Sequence, residues 1–305
     1  MRVTLLHNPT AGDEEHDRDH LLAALAKAGH DTVYQSTKEE GWTDVLDRPA
    51  DLVVAAGGDG TMDKVFRALA GASLPVAVLP LGSANNVART LGISPETRTL
   101  ELVRSWQDAG RSRYDIGELR AGDSVVQFVE CMGGGIFGDV LVRAGERDEK
   151  LSAEEKKGLG LDLLEAAIRE APALAWKLDL DGEDLSGEFL AVEVMNVREI
   201  GPNVPLAPEA DPGDGLLDVA LVAAGHREGL AAYLREREPD HHIPPPAVRR
   251  ARGRRLRVRF PEGCPLHVDD ELLPERSVGG AQGEGILEVG RLQVQVLRAA
   301  GPLSS

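Results

Sequence analysis

Leu52-Val53-Val54-Ala55-Ala56-Gly57-Gly58-Asp59-Gly60-Thr61 is the stretch on which the reading of this chain turns. Its first five residues form a continuous apolar run, the pattern of a strand buried on both faces of a parallel sheet. The run ends in Gly-Gly-Asp-Gly-Thr, and a helix is expected after it over about 62–70. Glycines let backbone N–H groups approach phosphate oxygens, and the helix start behind them carries about half a positive charge. Asp59 suits a metal ion or a ribose hydroxyl, and Thr61 suits capping the helix or bonding phosphate. The plain alternative is a glycine-rich turn with no ligand. Five specific residues after a buried strand weigh against it.

Working outward, residues 3–6 form a short apolar strand followed by the turn Asn8-Pro9-Thr10-Ala11-Gly12. A helix is expected over 13–28, acidic at its start and stopped by Gly29, and a strand over 32–35. Downstream come a strand at 76–79, the turn Pro80-Leu81-Gly82-Ser83-Ala84-Asn85-Asn86, and a helix to about 91. Alternating strands and helices with short connections predict a parallel sheet covered by helices. The three turns sit at carboxyl ends of strands, where open α/β sheets bind ligands, so they converge on one crevice.

After about Tyr114 the pattern changes. Strand candidates come in runs at 124–131, 175–180, 189–196, 217–223, 254–260, 265–271 and 292–297, with two or three helices between them, the clearest at 158–170. This half reads as a mainly antiparallel β-sandwich with inserted helices. Residues 238–246 form a loop stiffened by prolines, and no internal repeat is present.

Asn8 to Gly12, Gly57 to Thr61 and the run from Leu79 to Gly92 (LPLGSANNVARTLG), in this order and spacing, resemble the catalytic domain of the diacylglycerol kinase family. That family includes bacterial lipid kinases and the sphingosine and ceramide kinases. The likeness continues through Tyr114-Asp115-Ile116-Gly117, Cys131 to Gly138, Leu206-Ala207-Pro208, Asp214 to Val219 and Val268-Asp269-Asp270-Glu271, and so covers nearly the whole chain. The resemblance implies an NAD kinase/diacylglycerol kinase-like α/β domain over 1–115 and a β-rich lipid-substrate domain over 116–289. The tail 290–305 is a candidate to pack back on the first domain.

The implied activity is ATP-dependent transfer of the γ-phosphoryl group to a hydroxyl of a diacylglycerol-like or sphingoid lipid, in phospholipid biosynthesis. Carried over by motif, the nucleotide contacts would be Asn8, Thr37, Gly57, Gly58, Asp59, Gly60, Thr61, Met62, Asp63, Lys64 and Ser83. Glu271 would be the general base, with Asp269 its partner or a magnesium ligand. A structural magnesium would use Asp211, Asp214 and the carbonyl of Leu216. The residues themselves support part of this. Extended geometry would put His267, Asp269 and Glu271 on one strand face and Leu266 and Val268 on the other. Two close carboxylates raise the pKa of at least one, which suits a base; the alternative is a solvated acidic strand end.

The chain departs from the family pattern at Asp63 and Lys64, where asparagine and glutamate are usual, at Asn86, where an acid is usual, and at Asp270, where glycine is usual. The glycine cluster expected after Asn196 is also absent. These changes motivate a second reading, a nucleotide- or lipid-binding protein without turnover. An NAD kinase-like phosphotransferase is a third, since it shares the glycine motif and a β-rich second half. The later stretches favour the lipid kinases.

Composition sets outer bounds. The 305 residues carry a net charge of −17, which disfavours nonspecific binding to nucleic acid or anionic lipid. Arg249 to Phe260 is the one basic block, alternating from Arg255 so that Arg255, Arg257 and Arg259 share a face. It reads either as a half-buried strand with a solvated charged face or as a peripheral docking patch for anionic headgroups. Aromatic content of 4% gives no support to nucleic-acid binding. Cys131 and Cys264 cannot build a disulfide framework, and no Cys/His cluster has zinc spacing. His7, His241 and His242 are expected to have no chemical role. The N-terminus reads as a strand and not a signal peptide, and no apolar stretch approaches the roughly 20 residues of a membrane span. The expected location is cytoplasmic, at most peripheral to the inner face of the membrane.

Overall fold

The computed structural model describes residues 1–12, 16–94, 99–145, 152–237, 243–245, 248–274 and 283–298. The expected helix start at 13–15, His241, His242 and most of the proline loop lie outside the described residues, as do residues 299–305. The chain forms two compact units, one of Met1–Tyr114 with the described residues from Leu292 onward, the other of Asp115–Arg291.

The first unit contains β1 (Arg2–His7), α1 (Arg18–Lys27), β2 (Asp31–Ser36), β3 (Leu52–Gly57), α2 (Asp59–Leu69), β4 (Val76–Pro80), α3 (Asn86–Thr90) and α4 (Thr99–Ser105). The strands pair in parallel in the order β2-β1-β3-β4, with Leu5 beside Tyr34 and Val54, and Val54 beside Ala77. Every residue of β3 is buried, as its apolar run requires. Met62, Val65, Phe66 and Leu69 recur at helical spacing and lay α2 on the sheet, where Phe66 meets Tyr114 edge-on at 4.9 Å. The Asp17 carboxylate caps α1 by accepting from the His20 amide, and Gly29, at φ +81°, ends it.

The helix after the glycine motif begins at Asp59 and not near residue 62. Thr61 and Met62 already donate to the Gly58 carbonyl, so the motif is itself the first helical turn.

The second unit holds most of β5 (Gly110–Ala121), then β6 (Ser124–Phe128), β7 (Cys131–Gly135), α5 (Ile136–Gly145), α6 (Ala153–Glu170), β8 (Leu174–Leu180), β9 (Glu183–Asp184) and β10 (Gly187–Met195). These are followed by β11 (Leu217–Ala223), α7 (Arg227–Glu236), β12 (Val248–Gly253), β13 (Arg255–Arg259), β14 (Leu266–Val268), β15 (Glu271–Leu272) and β16 (Glu284–Arg298). One antiparallel path runs β15-β14-β7-β10-β11-β12, and another leaves β10 through β8 and β13 to β16. Past Leu292, β16 belongs to the first unit, where Val296 pairs in parallel with Val76.

The second unit's core gathers Trp176, Leu178, Val192, Val194, Leu256, Val258 and Phe260, with Trp176 and Phe260 edge to face at 6.2 Å. Burying each such side chain contributes about 1.5–3 kcal/mol. Ser152 and Glu155 form a capping box, so α6 starts before the expected residue 158. Among the described residues no helix is long and apolar enough to cross a membrane.

Candidate functional site

Because β1, β3 and β4 are adjacent and parallel, the loops that follow them leave one edge of the sheet. Backbone bonds tie these loops together: Asn8 N–H donates to Ala56 O at 2.9 Å, Thr37 N–H to His7 O at 2.8 Å, and Leu81 N–H to Gly57 O at 2.9 Å. The contact between the second and third loops is closest at two glycines. A Cβ on Gly82 would stand 2.5 Å from Gly58 Cα, and a Cβ on Gly58 would stand 3.0 Å from Gly82 Cα. Neither position accepts a side chain without separating the backbones.

Asn85 holds the third loop closed from within. Its Oδ1 accepts from Gly82 N–H at 2.8 Å and its Nδ2 donates to Gly82 O at 2.7 Å. Asn85 itself sits at φ +55°, a left-handed conformation that asparagine tolerates better than most residues. The Asp59 carboxylate reaches across and accepts from Val87 N–H at 3.1 Å, joining the start of α2 to the start of α3. The assembly presents the first amides of α2 beside a glycine-lined backbone, which is a phosphate-binding geometry.

The other nucleotide candidates are placed unequally. Gly57 and Gly60 belong to the motif, and the buried Thr61 packs its side chain against Gly57, where a Cβ would meet Thr61 Oγ1 at 2.3 Å. The Thr61 side chain therefore serves the loop's packing. Met62 is 1% exposed and its side chain belongs to the core. Asn8 is half-buried, and its Oδ1 accepts from the Thr10 amide and hydroxyl. Thr37 is buried, whereas Lys64 and Ser83 are exposed. Asp63 is paired with Arg67 one turn along α2, so its carboxylate has a partner within the helix.

In the second unit, Asp269 and Glu271 are not on one strand with His267. The strand stops at Val268, Asp269 turns at φ +50°, and the chain returns as β15, so His267 and Val268 pair with Leu272 and Glu271 in a tight hairpin. The left-handed residue is Asp269 and not Asp270, so the aspartate in place of the family's glycine imposes no left-handed strain. Asp269 is buried, and its carboxylate accepts from the amides of Val129, Glu130 and Cys131, the shortest bond being 2.7 Å from Glu130. It is a structural anchor. Glu271, two residues on, is exposed.

Asp211, Asp214 and Leu216 share one turn, which Asp115 fastens to β5 by accepting from Gly215 N–H at 2.9 Å. Asp211 accepts from Gly213 N–H and Asp214 from Leu216 N–H. Asp214 is also paired with Arg252, whose Nε lies 3.0 Å from Asp218. A guanidinium thus already faces one carboxylate of the set from which the implied structural metal would draw its ligands.

The basic block is two strands. The break falls at Arg254, where Asp181 accepts from the amides of Arg254 and Arg255. On β13, Arg255, Arg257 and Arg259 are exposed and Leu256 and Val258 buried. Each arginine stands directly across from a carboxylate: Arg255 from Glu288, Arg257 from Asp179, and Arg259 from Glu284, with which it is paired.

One buried cluster was not legible as a site. Glu193 and His267 meet at 3.0 Å inside the second unit. The signal for it was a lone acid within the apolar run Phe189-Leu190-Ala191-Val192-Glu193-Val194-Met195, where charged residues are rare unless paired.

Two family models match the chain, the diacylglycerol kinase catalytic domain over residues 2–119 and the YegS C-terminal NAD kinase beta sandwich-like domain over residues 161–289. A Pseudomonas aeruginosa protein named "probable lipid kinase YegS-like" is 30% identical over 299 residues, covering 94% of this chain and 93% of its own. A diacylglycerol kinase of Bacillus subtilis is 26% identical, covering 88% and 89%. The crystal structure of a diacylglycerol kinase from Bacillus anthracis superposes with a TM-score of 0.68 at 22% identity, covering 98% of this chain and 97% of that one.

Proposed function

The chain belongs to the family of diacylglycerol kinases and YegS-like lipid kinases, and from that premise we propose that it moves the γ-phosphoryl group of ATP to a hydroxyl of a diacylglycerol-like or sphingoid lipid. The observation that carries the nucleotide half is the backbone contact of Gly58 with Gly82 at the start of α2. Phosphoryl transfer depends mainly on positioning and on stabilising charge, which helix amides and glycine backbone supply. Nucleotide contacts then come from the backbone of Gly57 to Thr61, from Asn8 and Thr37 at the same sheet edge, and from the exposed Ser83 and Lys64. Magnesium would accompany ATP and neutralise its phosphates.

Glu271 is the proposed general base. Its support is an exposed carboxylate at the tip of a hairpin whose turn is fixed by Asp269. The acceptor is a membrane lipid, so the enzyme works at a membrane surface, on the cytoplasmic side. Arg255, Arg257 and Arg259 face carboxylates across the sheet and add little net positive charge for docking. The lipid kinase reading is preferred to NAD phosphorylation because the relatives named above are lipid kinases.

The test is label transfer from γ-labelled ATP with magnesium into dioctanoylglycerol or sphingosine in detergent micelles, with NAD in a parallel tube. A labelled lipid supports the proposal. Label in NAD alone moves the chain to the other chemistry, and no label with ATP bound supports the non-catalytic reading. Glu271→Gln is expected to keep ATP binding and lose turnover; full activity in that variant removes Glu271 as base.

A further inference from the structure

We infer that the buried Glu193–His267 pair is a positioning device that aims the hairpin carrying Glu271, an inference that rests on the reading of Glu271 as general base. The pair is built across three strands. His267 of β14 and Glu193 of β10 both stand in register with Gly133 of β7, which lies between them. A Cβ on Gly133 would lie 2.2 Å from Glu193 Oε2, so the middle strand carries glycine where the two side chains join. His267 is 2% exposed and Glu193 0%.

The hydrogen bonds fix the direction of the relay. His267 Nδ1 faces the Asp269 carbonyl at 3.1 Å, and a carbonyl only accepts, so Nδ1 is the donor. Nε2 then shares the remaining proton with Glu193 Oε2 at 3.0 Å, and the pair carries no net charge in either placement of that proton. Asp269 is thereby held twice, through its carbonyl by His267 and through its carboxylate by the amides of residues 129–131, and Glu271 follows two residues later.

Packing alone does not account for the pair. Glu193 Oε1 has no hydrogen-bond partner among the described residues, and a buried, half-satisfied carboxylate is costlier than the aliphatic side chains around it. Cys131 brings the cluster to three potential metal ligands within 4.8 Å of one another. Both ring nitrogens of His267 are already engaged, however, so the histidine is a link in a hydrogen-bond chain. Burial pushes the Cys131 thiol well above its ordinary value, and it packs as a protonated apolar group.

The test compares full-length Glu193→Gln and Glu193→Leu with the wild type. Hydrogen–deuterium exchange of the peptide spanning 266–273 is read beside steady-state kinetics with dioctanoylglycerol micelles. Glutamine can still hydrogen-bond Nε2, and leucine cannot. In Glu193→Leu the hairpin is expected to exchange faster and kcat to fall about tenfold or more, as displacement of a reacting group by a fraction of an ångström does, while the KM for ATP stays within about twofold. Glu193→Gln is expected to recover most of both. Unchanged hairpin exchange in Glu193→Leu overturns the inference, as does faster exchange with wild-type kcat, or one equivalent of zinc in the purified protein. Failure of the underlying reading shows separately, as full turnover in Glu271→Gln.

Discussion

Gly58 and Gly82 touch backbone to backbone, so closely that a methyl group on Gly82 would stand 2.5 Å from Gly58 Cα. The atom in the way is backbone, which cannot rotate aside. Gly82→Ala must therefore spread the two loops, at a cost of about 1–3 kcal/mol in stability. The spread moves the start of α2 away from the turn that faces it, and ATP affinity is expected to fall about tenfold, equivalent to roughly 1.4 kcal/mol. Calorimetric titration with ATP–magnesium checks this, and wild-type affinity in a melted-down but folded variant would separate the contact from nucleotide binding.

Asp269→Asn isolates the hairpin anchor. Asparagine tolerates the left-handed backbone at this position as aspartate does, so the exchange reports on hydrogen bonds and not on backbone strain. One acceptor oxygen becomes an NH2 group facing the amides of Val129, Glu130 and Cys131. The expected loss is about 1.5–3 kcal/mol in urea unfolding, the range for a hydrogen bond to a charged group. A variant as stable as wild type would show that the three amides do not depend on the carboxylate.

The fold was readable because its signals are local. A continuous apolar run announced β3, and the glycine motif with the turn from Pro80 to Asn86 announced the loops at the sheet edge. Four things were not readable. The helix start at Asp59 was hidden because glycines discourage a helix assignment, although helix N-termini tolerate them. The Asp269 turn was hidden because alternation of Val268, Asp269, Asp270 and Glu271 with their neighbours imitates a strand, and the reversal is held by bonds to residues 129–131 and to the His267 ring, which no local pattern shows. The partnership of Glu193 with His267 spans 74 positions and has no short pattern. Asn85 lies inside the turn from Pro80 to Asn86, yet its left-handed backbone and its ring with Gly82 follow from geometry that spacing does not encode.

Asp218 gives the fold a pH signature. Burial pushes its carboxyl from the ordinary 3.8 up to about 6, with the Arg252 guanidinium opposing and Asp214 adding to the rise. Between those values the folded state holds a proton that the unfolded chain has released. Stability from this group is therefore fully present below pH 3.8 and is lost as pH rises through about 6, a change of up to roughly 3 kcal/mol. Asp218→Asn removes the titration. The stability of wild type relative to the variant should decline from pH 4 to 6 and level off above that, as read by urea unfolding at each pH. Parallel curves for the two proteins would contradict the shift.

The arginine row makes the last prediction, and here the cross-strand partners decide between two readings of the same residues. Arg255 lies opposite Glu288, Arg257 opposite Asp179, and Arg259 opposite Glu284. A leaflet attracts net charge, and although this face also carries Lys177 opposite Arg259 and Arg120 paired with Glu288, the cations are offset by Asp179, Asp184, Glu284 and Glu288 taken together. Replacing Arg255, Arg257 and Arg259 together with glutamine should leave co-sedimentation with phosphatidylglycerol vesicles unchanged. The same variant should lose about 0.2–1 kcal/mol for each opposed pair in folding stability, the ordinary scale of such cross-strand contacts. Vesicle binding that falls several-fold, with stability intact, would instead make the row a docking patch whose carboxylates yield to the membrane.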